Sequence, residues 1–128
     1  MLTVFIHVAF DRYETVVVIV TQTHRQELYK TLTIEELMSE KLMLVDAEDL
    51  LSQFMLEGWP NEPLFMEVME RILRPACIRG EVRVINELAG VLCAEGKADD
   101  AIRVEEFWQI LVTQHHFSAV CVSAFCIV

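Results

Sequence analysis

Positive charge is scarce in this sequence. Ten Lys and Arg stand against 20 Asp and Glu, for a formal net charge of −10. Such a surface repels phosphate backbones, so direct binding of nucleic acid by this chain alone is not expected. Long apolar runs are missing as well. None approaches the roughly 20 residues that span a bilayer. Met1–Phe10 is apolar but short, and it lacks the basic region that opens a signal peptide. The expectation is a cytoplasmic chain without membrane association. No pair of the four cysteines is spaced Cys-x-x-Cys. Cys77, Cys93, Cys121 and Cys126 each sit in an apolar run, where a free thiol acts as a small hydrophobe, so no metal or redox centre is expected. His115-His116 end a helix pattern without a third ligand nearby, and a cation there suits the helix dipole. Ser118 and Ser123 lack a G-x-S-x-G elbow, so nucleophilic catalysis is not indicated. The phosphate-cradling G-x-x-x-x-G-K-[ST] loop is absent too. These absences imply a non-enzymatic chain with no catalytic residue and no cofactor.

What is present is apolar substance. The 128 residues match one ordinary domain, and 54% are hydrophobic, against the usual 45–50% or so. The organising stretch is Thr15–Thr21, a continuous β-branched run. A strand that is apolar on both sides is buried on both sides, as in a parallel sheet with helices on each face. Gln22-Thr23 then turn the chain, with Thr23 as candidate N-cap of a helix through His24–Leu32. Thr33 and Glu36 have capping-box spacing, which predicts a second short helix. Lys41–Val45 reads as a second buried strand, and Asp46 is placed to cap a helix over Ala47–Leu56. Gly58-Trp59-Pro60 breaks that helix. Pro63 sits in the first turn of a longer one, which Pro75 kinks or ends. Val82–Ile85 is a third strand, and Asn86 starts the helix Glu87–Ala94. Asp99 or Asp100 opens the helix Ala101–Gln114, and Phe117–Val128 reads as a last strand. Met38, Met43, Met55, Met66 and Met69 read as core filler. Leu2–Phe10 stays open: β-branched propensity leans to strand, but the pattern does not exclude a helix. Short apolar strands alternating with helices predict an α/β domain. It has three layers and a mostly parallel sheet.

In such sheets ligands gather at the carboxyl ends of the strands. Thr21 with His24, Asp46, Asn86 with Glu87, and Ser123 fall there. The candidate ligand-binding residues are therefore Thr21, His24, Asp46, Asn86 and Glu87. Glu87 follows an apolar strand as a catalytic glutamate does. Without a phosphate cradle its plainer reading is a first-turn acid favoured by the helix dipole.

The order of these pieces resembles the MEDS domain, the sensory domain named for methanogen and methylotroph regulators. Glu14–Thr21 followed by His24-Arg25 is similar to the family's strand and "AT-x-x-H-R" turn. Leu44-Val45-Asp46-Ala47 leading to Leu50-Leu51 resembles "L-D-A…T-L", and Phe54-Met55 with Gly58-Trp59-Pro60 fits the next helix and loop. Val84–Leu88 resembles "F-G-E-M", and Leu92–Gly96 resembles "L-W-x-x-G". Ala101–Trp108 resembles "A-x-x-L-E-x-L-W", and Phe117–Cys121 resembles "F-S-L-L-C". There are departures. The family's glycine is Asn86 here, its asparagine after Trp is Gln109, and its tyrosine after Cys gives way to Val122-Ser123. The family pattern also begins with a strand and most of a helix ahead of Phe5-Ile6, which makes Leu2–Phe10 the remnant of that helix. The resemblance implies one sensory domain over residues 1–128, RecA-like but without a P-loop, which binds a small, even apolar, ligand or a partner signalling protein. A sheet without its first strand would expose an edge, so a homo-oligomer or a protein complex is the second expectation. A degenerate RecA-like nucleotide binder is the remote third.

Overall fold

The computed structural model describes residues 2–78, 80–114 and 118–121. The chain opens with α1 (Leu2–Asp11), followed by β1 (Thr15–Val20), α2 (Gln22–Thr31), α3 (Ile34–Leu37), β2 (Leu42–Asp46) and α4 (Ala47–Phe54). A small hairpin, β3 (Met55–Leu56) and β4 (Trp59–Pro60), leads to α5 (Glu62–Ile78). Then come β5 (Val82–Asn86), α6 (Leu88–Ala94), α7 (Ala98–Gln114) and β6 (Ser118–Cys121). The main sheet has the order β2-β1-β5-β6 and all its pairings are parallel. The protein is thus a mixed α/β fold with a small parallel sheet and helices, as the alternation of strands and helices predicted.

The β1 run is buried at every position, and its two faces enter two separate cores. Val17 and Ile19 join Val82 and Val84 in a cluster with side chains of α4, α5, α6 and α7. Val16, Val18 and Val20 join Ile85 in a second cluster with Ile6 and Ala9 of α1 and Leu28 of α2. A β-branched strand fits both because successive side chains point to opposite faces. At the centre of the first cluster Phe65 meets Phe54, Phe107 and Trp108, with ring centroids 5.1, 5.3 and 5.3 Å away. Beside the sheet, Arg83 of β5 donates through Nε and Nη2 to the two carboxylate oxygens of Glu14, at 3.0 and 3.2 Å.

Several local readings change. Leu2–Phe10 is helical, against the strand propensity of its β-branched residues. Ile6 and Ala9 lie three apart and are fully buried against the sheet, so packing of one helical face overrides local preference. Tyr13 ends α1 in the left-handed region at φ 58°. The Glu14 N–H donates to the Ala9 carbonyl and the Tyr13 N–H to that of Phe10, which is a Schellman closure. The cap of α2 is Thr21, not Thr23: its Oγ1 accepts from the His24 N–H at 3.4 Å. Glu57 and Gly58, with φ 54° and 78°, make a two-residue turn of a tight hairpin, where the sequence suggested only a break. Pro75 neither ends α5 nor stands mid-helix. It falls in the last turn, where a missing N–H costs one bond. Met69 is core and Met43, Met55 and Met66 pack against it, but Met38 is exposed. Cys93 packs on the core yet is disulfide-bonded rather than a free thiol, and Cys77 is free and exposed, its thiol pushed up by partial burial. Of Phe117–Val128, Ser118–Cys121 is strand and the rest lies outside the described residues.

The predicted capping box is complete. The Thr33 N–H donates to Glu36 Oε1 at 2.9 Å, and the Glu36 N–H to Thr33 Oγ1 at 3.1 Å. His7 Nε2 of α1 lies 2.7 Å from Glu36 Oε2. The Thr33 backbone N–H holds the Glu36 carboxyl below its ordinary value; desolvation opposes it, and the neighbouring His7 adds a lesser lowering. A carboxyl lowered in the folded state adds stability above its unfolded value, and that stability fades as pH falls through the folded one. The expected result in a carbonyl-carbon NMR titration is a Glu36 midpoint below that of the exposed glutamates. A midpoint at or above theirs would contradict the box.

Candidate functional site

The carboxyl ends of β1, β2 and β5 lie side by side, with Val20 opposite Asp46 and Ile19 opposite Asn86. Glu87 follows β5 directly. It occupies the N-cap position of α6 but makes no side-chain cap bond. Its backbone N–H donates to the Ile19 carbonyl at 2.9 Å, and its carboxylate crosses to the neighbouring strand and helix instead. Oε2 accepts the Thr21 N–H at 3.0 Å, and Oε1 is hydrogen-bonded to His24 Nδ1. Glu87 is 4% exposed. A buried carboxylate is costly unless its oxygens are engaged, and here both are. The first-turn acid expected from the sequence is a tie between β1, α2 and β5.

Above this tie lies a cleft of about 320 Å³, lined by Thr21, His24, Glu48, Glu87, Gly90, Val91, Ala94 and Glu95. That is at the small end of ligand pockets, which run from about 300 to 1,000 Å³. Gly90, Val91 and Ala94 of α6 form its apolar wall. Glu48 of α4 and Glu95 are exposed at its rim, and Lys97 Nζ lies 3.5 Å from Glu95 Oε2. The His24 side chain is about one-third exposed. With Glu87 ionised, its carboxylate only accepts, and Nδ1 is then the donor to it. In the neutral ring Nε2 then presents a lone pair. Among the described residues no group of three or more His, Cys, Asp or Glu is arranged to hold a metal ion. No helix among them is long and apolar enough to cross a membrane.

Of the residues singled out from the sequence, Thr21, His24 and Glu87 come together in this cleft. Asp46 and Asn86 do not line it. Asp46 is spent on capping α4, its Oδ1 accepting from the Asp49 N–H at 2.9 Å. Asn86 is 1% exposed, and its Oδ1 accepts from the Leu88 N–H at 3.3 Å. Both are short polar residues at a strand-to-helix step, where such side chains turn back onto the backbone. Ser123 lies outside the described residues. Sequence reasoning missed Glu48, Gly90, Val91, Ala94 and Glu95. Four of these recur three and four apart after Glu87, so one face of α6 was readable once its start was known.

The family model described as MEDS: MEthanogen/methylotroph, DcmR Sensory domain matches residues 1–122. No curated protein and no solved structure matches the chain. The matched span takes in both cores, the parallel sheet and every described residue of the cleft. This chain belongs to the MEDS family of sensory domains.

Proposed function

We propose that the domain is a non-enzymatic sensor that binds a small ligand in the cleft between α2, α4 and α6. The observation that carries this reading is the cleft itself: an apolar wall faces a histidine whose ring is oriented by a buried carboxylate. His24 and Glu87 have the form of a general base with its orienting group. Among the described lining residues the one hydroxyl is that of Thr21, whose oxygen accepts the His24 N–H in capping α2, which favours recognition over catalysis. The acidic lining counts against a phosphate-bearing ligand and so against the nucleotide alternative. All-parallel strands packed on both faces favour the RecA-like description of the scaffold.

Thermal melting against small metabolites tests the proposal. A ligand at about 100 times its dissociation constant adds roughly 2.7 kcal/mol, a shift on the order of 8 °C for a domain of this size. The shift should saturate and should vanish in Ala94→Phe, which fills the cleft from its exposed rim. No shift with any compound would overturn the proposal.

A second reading, a module that assembles with another chain, rests on β2. It is an edge strand of the sheet and half-buried along its length, and open edges invite pairing. Leu56 and Trp59 of the hairpin are about half exposed as well. In the same experiment this reading predicts a melting point that rises with protein concentration and with no ligand.

A further inference from the structure

We infer that the cleft takes a small organic cation, an alkylammonium whose N–H donates to His24 Nε2 and whose alkyl chain lies on Val91 and Ala94. This rests on the proposal that the cleft is the ligand site, and it names the chemistry of the ligand. The described lining residues supply hydrogen-bond acceptors and few donors. With Nδ1 committed to Glu87, neutral His24 offers Nε2 as an acceptor directed at the cleft. Both Glu87 oxygens are already used, so its charge is satisfied inside the protein. Glu48 and Glu95 add two carboxylates at the rim, and no Lys or Arg is among the described lining residues. Lys97 offsets Glu95 only in part, because that pair is about half exposed and its 3.5 Å separation is long. An anion entering this space would meet carboxylates and the lone pair of the neutral ring, with only the Thr21 hydroxyl to donate among the described lining residues. A wholly apolar ligand would leave Nε2 dehydrated and unpaired. A cation with a short hydrocarbon tail meets neither cost. The volume of about 320 Å³ suits a body of a few carbon atoms.

The test compares three probes of one size: propylammonium, 1-propanol and propionate. Each is titrated into the domain while the amide and His24 ring resonances are followed by NMR. Propylammonium should saturate and shift Thr21, His24 and Val91, while propionate should shift none of them. The double substitution Glu48→Gln and Glu95→Gln removes two rim charges and should raise the propylammonium Kd about tenfold. It should leave the folded spectrum intact, because both side chains are exposed. If propionate or 1-propanol saturates the same resonances as tightly as propylammonium, the cationic class is wrong and the cleft reading stands. The cationic class is equally wrong, and the cleft reading equally stands, if another compound shows a saturable shift that Ala94→Phe abolishes while propylammonium does not bind. If no compound of any class binds, the cleft reading falls and this inference falls with it.

Discussion

Phe65→Ala should remove about 4 kcal/mol of stability. The side chain is fully buried and meets three other aromatic rings within 5.3 Å. Deleting a buried Phe costs about 3–5 kcal/mol through lost transfer energy and the cavity left behind. The edge-on contacts with Phe54 and Trp108 put this site in the upper half of that range, since such pairs add about 0.5–1.5 kcal/mol each. Collapse around the gap is restricted because Phe54, Phe107 and Trp108 are carried by α4 and α7, which also pack on other core residues. In urea denaturation the midpoint should fall with an unchanged slope, and the melting temperature should drop on the order of 12 °C. Ile102→Ala on the exposed side of α7 is the control, expected within about 0.5 kcal/mol of the parent. A loss below about 1.5 kcal/mol for Phe65→Ala would mean that the aromatic cluster is not the centre of the core.

Glu87 should separate stability from recognition. Glu87→Ala leaves the Thr21 N–H and the His24 ring without their acceptor. An unsatisfied buried donor costs about 1–3 kcal/mol, so a loss of about 3 kcal/mol is expected together with loss of ligand binding. Glu87→Gln behaves differently. Its amide carbonyl can still accept from Thr21, which keeps most of the stability. Its amide N–H₂ can only donate to His24 Nδ1, which turns the ring to the tautomer protonated at Nε2. The cleft then offers a donor where it offered an acceptor. On the proposed chemistry, Glu87→Gln should stay within about 1 kcal/mol of the parent, move the ring proton to Nε2 in nitrogen NMR, and abolish propylammonium binding. A variant that keeps the proton on Nδ1 and binds as before would remove Glu87 from its orienting role.

Much of the architecture was legible because it is written in local pattern. The unbroken β-branched run of Thr15–Thr21 predicted a strand buried on both sides, and β1 over Thr15–Val20 is one. The Thr33/Glu36 spacing predicted a capping box, and Asp46 a helix cap, because those bonds close within four residues. The β3–β4 hairpin was missed, since Glu57-Gly58 places a residue other than Asn, Asp or Gly first in a left-handed turn. In the site, the strand-end rule brought Thr21, His24 and Glu87 to notice. It could not separate them from Asp46 and Asn86, which have the same polar character at the same kind of step.

The sequence by itself determined the acidic surface, the alternation of strands with helices, the family pattern and the local caps. Each of these depends on composition or on residues a few positions apart. The tertiary structure alone decided that Leu2–Asp11 is a helix, because burial of Ile6 and Ala9 against the sheet outweighs the strand preference of its β-branched residues. It alone decided that Glu87 ties β1 to β5 rather than capping its own helix. A partner more than 60 residues away in the chain becomes a neighbour only when parallel strands bring Ile19 beside Asn86. Parallel pairing is a non-local choice, and the cleft at the ends of those strands exists only after that choice is made.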